Sequence, residues 1–260
     1  MTFRIIDINE TNIKKYGLLC KKSQKKQTGY QNKVKWIKDR FKEGLKYKLL
    51  LVREGEKETS RGFIEYIPGK YNWRGIEANN WMVIHCIWVI GKHKNKGYAS
   101  NLLKECINDA KEAKMYGVVG MTAEKGGWLP KSNIFIKNSF KEIDEFSTNY
   151  KLYAIVFDKK LPLPKFYSFP KVKLKKYDKG ITILYTHQCP YLPDLINDIE
   201  ELSVKNNVSF QKILLNDTKE IQQYAIHPYG TFNIIGFGKI IPYKPGIKKE
   251  VIKLLETKNL

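Results

Sequence analysis

The chain has 260 residues, and its 47 Lys and Arg against 26 Asp and Glu leave a formal net charge of +21, a length that predicts one large or two modest domains with real cores. No apolar run approaches the roughly eighteen residues that cross a bilayer and no targeting segment is visible, so the expectation is a cytoplasmic protein with no membrane partner. Only Arg4, Arg40, Arg53, Arg61 and Arg74 are arginines, and lysines are scattered throughout, which predicts a solvated basic surface and no nucleic-acid site. Cys20, Cys86, Cys106 and Cys189 show neither Cys-x-x-Cys nor metal-ligand spacing, so neither a metal site nor a disulfide scaffold is expected, and a reducing compartment fits.

In chain order, Phe3 to Ile8 reads as a strand, Asn12 to Lys22 as a helix, and Gln31 to Lys42 as an amphipathic helix. Strands Tyr47 to Arg53 and Gly62 to Ile67 flank a polar turn, and Pro68 to Asn80 is a loop in which Trp73 either covers substrate or packs on its own hairpin. Trp81 to Ile90 is apolar and β-prone, and after it Ala99, Leu102, Leu103, Cys106, Ile107, Ala110 and Ala113 recur at helical spacing. Gly117 to Ala123, Phe140 to Phe146 and Leu152 to Phe157 read as strands around a short helix at Lys131 to Asn138.

Residues 89 to 103 therefore pass from a strand through a basic glycine turn into a helix. The unpartnered N–H groups and dipole of a helix start attract an anion. Lys92, Lys94 and Lys96 add charge, and Gly97 lets a phosphate approach the backbone. Neither a Gly-Lys-Ser/Thr loop nor a Gly-x-Gly-x-x-Gly turn is present.

The segment Lys94-Asn95-Lys96-Gly97-Tyr98-Ala99 resembles the acetyl-coenzyme A signature of the GNAT N-acetyltransferases, with Lys94 in place of the usual Arg or Gln and Val89 where that family ends its fourth strand. The element order over residues 1–158 is also the GNAT order. The resemblance implies an α/β fold with a mixed, mostly antiparallel sheet and flanking helices. It implies acetyl-CoA as cosubstrate, with Val89, Lys94, Asn95, Lys96, Gly97, Tyr98, Ala99 and Ser100 binding it, and an amine acceptor as partner; a homodimer is left open.

Residues 159–179, with Pro162, Pro164 and Pro170, break helical continuity and read as a linker. From 180 to 260 a smaller domain follows: strand Ile181 to Thr186, helix Pro190 to Val204, strand Val208 to Leu215, helix Thr218 to Ala225, strands Thr231 to Ile235 and Lys239 to Ile241, and helix Ile247 to Leu255. This βαβαββα series resembles the thioredoxin and glutaredoxin fold, with Cys189-Pro-Tyr-Leu192 where that family usually has Cys-Pro-Tyr-Cys and Pro228 where it carries a cis-proline. The two domains in this order look like the YoaP-type acetyltransferases.

Acetyl transfer needs an unprotonated amine and support for an oxyanion. His85 is the candidate base: strand alternation puts Val83, His85, Ile87 and Val89 on one face, Cys86 on the other, and an imidazole titrates near the working range. Phe135 stands where GNAT relatives have a proton-donating Tyr, and Trp128 where many have an Asn facing the coenzyme. Cys189, ahead of Pro190 at a helix start, is expected to have a lowered thiol pKa and to act on the acceptor, or else to be an inherited relic. The expected function is acetyl-CoA-dependent N-acetylation of a small amine presented by the C-terminal domain. The alternative is a thiol-redox or acetyl-CoA-sensing protein using Cys189.

Overall fold

A computed structural model describes residues 2–125, 128–158, 161–169, 171–241 and 246–257, with side chains 171–173 left out. Within the expected linker, residues 159, 160 and 170 lie outside the described set. The elements run β1 (Thr2–Ile8), α1 (Ile13–Tyr16), α2 (Thr28–Phe41), β2 (Lys46–Glu54), β3 (Lys57–Pro68), β4 (Ile76–Glu77), β5 (Met82–Val89), α3 (Tyr98–Glu112), β6 (Gly117–Ala123), α4 (Ser132–Ile136), β7 (Lys141–Ser147), β8 (Tyr150–Val156) and β9 (Lys165–Phe166). They continue with β10 (Ile181–Tyr185), α5 (Leu192–Lys205), β11 (Phe210–Leu214), α6 (Thr218–Tyr224), β12 (Phe232–Gly236), β13 (Lys239–Ile241) and α7 (Ile247–Glu256). Among the described residues no helix is long and apolar enough to cross a membrane.

The first sheet has the order β1-β2-β3-β5-β6-β8-β7 and is antiparallel except at β5 and β6. Those two strands pair only from Met82 opposite Val118 to Ile84 opposite Gly120, so beyond Ile84 they carry no shared hydrogen bonds. α3 covers one face, burying Leu102, Leu103, Cys106 and Ala110 against Leu50, Ile64, Tyr66 and Val118. The second sheet, β11-β10-β12-β13, is mixed, with β10 parallel to β11 and antiparallel to β12.

The second unit lies on the face of the first sheet that α3 leaves bare. Leu184, Ile221, Ile226 and Ile235 pack in one apolar cluster with Trp36, Leu49, Leu51 and Trp73. Ile181, Ile183, Phe232 and Ile234 share another with Val83, Val119, Met121 and Leu152. The proline-rich stretch between the units is tied down as well, because β9 pairs with β4 and the Trp81 indole donates to the Pro162 carbonyl at 3.0 Å.

Several elements depart from the sequence reading. The helix expected from Asn12 stops at Tyr16 because Gly17 adopts φ +69°, where a Cβ would also sit 2.8 Å from the Tyr30 hydroxyl. Its continuation is a loop held by Tyr30 and Tyr47, whose hydroxyls accept the Leu18 and Leu19 N–H groups at 3.0 Å. Trp73 is not among the residues that line the cavity described below, nor does it lie exposed on a hairpin. It is fully buried, edge-on to Trp36 at 5.3 Å. No described peptide is cis, so the His227–Pro228 bond is trans.

Candidate active site

The basic turn is formed almost wholly from backbone. After β5, a short 3-10 turn at Gly91–His93 leads to Asn95 and Gly97, both left-handed at φ +61° and +78°. Gly97 caps α3 with no side-chain cap, and the first intrahelical bond is Asn101 N–H to the Gly97 carbonyl at 3.1 Å. The Ala99 and Ser100 N–H groups ahead of it have no intrahelical acceptor.

A Cβ on Gly97 would meet nothing within 4 Å, which leaves room there for a ligand. Lys94, Asn95 and Lys96 are exposed around the turn, while Val89 and Tyr98 are buried beneath it, Tyr98 edge-on to Phe3 at 5.2 Å. Ser100 is engaged by Asn138, whose side-chain amide donates to its hydroxyl at 3.1 Å. Open space, uncapped amides and exposed lysines fit a diphosphate.

Further along β5 the strand alternation breaks. Tyr66 pairs with Ile84 but Glu65 with Cys86, so a β-bulge leaves His85 as an extra residue. From there every side chain changes face: Ile87 and Val89 pack toward α3, whereas Cys86 joins His85 on the face toward the second unit. The expected grouping of His85 with Ile87 and Val89, and the separation of Cys86 from His85, are therefore corrected by the bulge.

His85 is enclosed. Its Nε2 accepts the Trp73 N–H at 3.1 Å, its Nδ1 lies 3.6 Å from Glu65 Oε1, and its carbonyl accepts from Arg74. Burial pushes its pKa down to about 4, with the hydrogen bond and charge of Glu65 pulling the other way. It does not titrate in the ordinary imidazole range that the sequence suggested.

Glu65, 1 % exposed, is the hub of this region. It accepts from Lys33 on α2 and, across the unit boundary, from the Gln188 amide at 2.9 Å. Burial alone would raise its carboxyl, but the Lys33 charge and the His85 hydrogen bond outweigh it and hold the pKa at about 2.

Lys33, Glu65 and Arg74 line a cavity of about 290 Å³ between the units, with Ile87 and Trp88 from the end of β5 that no longer pairs with β6 and Gln188 to Tyr191 from the second unit, while His85 lies outside the lining. Trp128 stacks on Tyr191 with 6.2 Å between ring centroids and 13° between planes. Tyr191 is gripped from the first unit by Lys21, whose N–H donates to its hydroxyl at 3.3 Å and whose ammonium pairs with Asp194.

Three free cysteines, Cys20, Cys86 and Cys189, line the same cavity. Among the described residues no group of three or more His, Cys, Asp and Glu could hold a metal ion. The Cys189 thiol is pushed up by burial, against a Tyr191 N–H that favours the thiolate. This overturns the expected lowering. The helix supposed to begin at Pro190 begins at Leu192, with Pro193 in its first turn, and burial is the largest influence on the thiol.

Phe135 is buried against Phe140 and Tyr153 and has no transferable proton. Lys33, Glu65, Arg74 and Gln188 are not among the candidate site residues that the sequence suggests. The one available signal is a single carboxylate inside the apolar strand Phe63-Ile64-Glu65-Tyr66-Ile67.

The model of the acetyltransferase (GNAT) family matches residues 19–125. The chain is 34 % identical over 255 residues to the uncharacterized N-acetyltransferase YoaP of Bacillus subtilis, spanning 97 % of this chain and 98 % of that protein. Among solved structures, a GNAT-family acetyltransferase from Staphylococcus aureus superposes on 60 % of this chain and all of its own, at 15 % identity and a TM-score of 0.39. A GNAT-family enzyme from Brucella melitensis, solved with acetyl-CoA, covers 64 % of this chain and 96 % of its own at 13 % identity and a TM-score of 0.38. With the near full-length similarity to YoaP and the family match through β5, the turn and α3, the chain belongs to the GNAT family of N-acetyltransferases.

Proposed function

We propose that this enzyme acetylates an amine seated in the cavity between its two units, with acetyl-CoA lying along the outer half of β5 and its diphosphate on the turn before α3. The observation that carries this reading is that Ile87 and Trp88, where β5 has parted from β6, line the same cavity as Gln188, Cys189 and Tyr191.

Acetyl-CoA supplies the activated acetyl group as a thioester. The Ala99 and Ser100 N–H groups, with Lys94 and Lys96 nearby, hold the diphosphate, and Gly97 leaves it room. Val89 and Tyr98 support the turn from below. His85 acts as a positioning residue in this reading: with both nitrogens facing Trp73 and Glu65 it orients the carboxylate. The acceptor amine loses its proton to water at the cavity mouth.

The second unit is read as a thioredoxin-like domain, supported by its sheet order β11-β10-β12-β13 and its parallel β10–β11 pair. Its Cys-Pro corner serves as a wall of the acceptor site. A thiol raised by burial, with buried Leu192 where a second cysteine would stand, does not favour the redox alternative.

Labelled acetyl-CoA with a metabolite extract and mass-spectrometric detection identifies acceptors directly. Cys189→Phe fills the cavity and is expected to abolish transfer while leaving coenzyme affinity unchanged. Full turnover in a folded Cys189→Phe protein refutes the placement of the acceptor.

A further inference from the structure

The charges around the cavity do not balance. Its lining carries three charged side chains, Lys33, Glu65 and Arg74. Lys33 is paired with Glu65. Arg74 has no such partner: only 2 % exposed, it donates to the His85 and Tyr229 carbonyls and the Thr231 hydroxyl and lies over the Tyr229 ring. Among the described residues no carboxylate pairs with it, and its Nε–H is buried without an acceptor.

The other titratable groups here offer no compensation. The thiols of Cys20, Cys86 and Cys189 are held protonated by burial, as are the phenols of Tyr47, Tyr191 and Tyr229. His85, behind Glu65, stays neutral because burial lowers its pKa. Two cations against one anion leave the lining with one positive charge. A buried charge without a counter-charge is costly, and an occupant that supplies one binds better for it.

We propose that the acceptor is an amino carboxylate with an apolar or aromatic body, its carboxylate held by Arg74 and its amine directed toward Ile87 and Trp88. This rests on the acetyl-transfer reading above and adds the substrate class. In its reactive form, with the amine unprotonated, such a molecule carries one negative charge, the complement of the lining. A simple amine in its reactive form is neutral and leaves Arg74 uncompensated. The rest of the lining, including Leu18, Phe63, Trp128 and Leu129, suits an apolar body.

The test uses the full chain and a panel of apolar and aromatic L-amino acids, each with its carboxamide, its decarboxylated amine and its deaminated acid. Binding is read by calorimetry and transfer by mass spectrometry of the acetylated product. At least one amino acid and its deaminated acid should bind, with the carboxamide and the amine about tenfold or more weaker. Arg74→Met should erase that preference and Arg74→Lys keep part of it. Should the Arg74 variants fail to fold, the ligand series on the unaltered protein decides alone.

Equal or tighter binding of the decarboxylated amines, or no binding by any carboxylate of the panel, overturns the proposal. Acetylation of decarboxylated amines without preference for their parents overturns the carboxylate and leaves acetyl transfer standing. Binding of deaminated acids that weakens in Arg74→Met, with no amine acetylated, supports the anion site and sinks the transfer reading.

Discussion

The turn at residues 94–100 draws on one contiguous stretch and presents backbone amides to solvent, whereas the cavity gathers side chains from Leu18 to Tyr229 between the two units. The first needs little more than a glycine that can hold φ +78° and a helix with no side-chain cap. The second depends on two packed units, a bulge and an ion pair across α2 and β3. A surface made from local backbone tolerates change around it. A buried polar network is costly to leave half-satisfied, so damage to one member is felt by the rest.

The largest effect expected from this contrast is at Glu65. Glu65→Ala strands the buried Lys33 ammonium and should destabilise the fold by about 3–5 kcal/mol in urea unfolding, the usual cost of breaking a buried pair from one side. Removing both charges together, Lys33→Met with Glu65→Leu, should recover much of that loss. Coenzyme affinity in the folded fraction should not change, since the turn lies apart from the network. A Glu65→Ala protein as stable as the parent erases the distinction between the two regions.

Acid should separate the regions next. His85 and His227 are each pushed from 6.5 to about 4 by burial. In the fold they stay neutral, while the unfolded chain takes up protons as pH falls. Their contribution is complete above about 6.5 and is lost toward 4, at up to about 1.4 kcal/mol per pH unit for each proton. Glu65, held at about 2, keeps its contribution down to about 4.5 and loses it only below that. Urea midpoints should therefore decline between pH 6.5 and 4, and the His85→Gln, His227→Gln double variant should flatten the curve. In activity, the acidic limb should follow the pKa of the acceptor amine and show no separate inflection from His85.

Gly97→Ala probes the turn itself. The added methyl meets no protein atom, so stability should fall by only about 1 kcal/mol from the left-handed backbone. Calorimetry should show coenzyme binding weakened by about tenfold, because the methyl occupies space assigned to phosphate. Unchanged affinity would move the diphosphate elsewhere. The smallest effect is expected at Trp128, half exposed and stacked on Tyr191. Trp128→Ala should raise the acceptor KM a few-fold, in line with about 0.5–1.5 kcal/mol for an aromatic pair, and leave coenzyme binding alone.

The same contrast accounts for what the sequence made legible. Strand, glycine turn and amphipathic helix are written within fifteen consecutive residues, and the strand Gly117–Ala123 and the βαβαββα order of the second unit were equally readable from local pattern. The bulge was not, because an extra residue in β5 appears only when its pairing with β3 is known, and one such residue reverses every later side chain. Nor was the Gln188–Glu65 bond, whose partners are 123 residues apart. Gly17 sits inside an otherwise helical pattern that does not reveal its φ of +69°, although the loop that follows it carries Cys20 into the cavity. At Cys189 local pattern suggests a helix start, but the helix opens three residues later at Leu192, and burial, which local pattern does not show, pushes the thiol pKa up.

The apolar clusters common to both units also bear on how this polypeptide comes apart. Gene fission or truncation near residue 158 would lay bare Leu49, Leu51, Val83, Val119 and Leu152 on one side and Ile183, Leu184, Ile234 and Ile235 on the other. Each fragment would present a broad sticky face to water, and such faces associate or aggregate. The two halves are bound to melt together, as one cooperative body, despite a chain that reads as two modules in series.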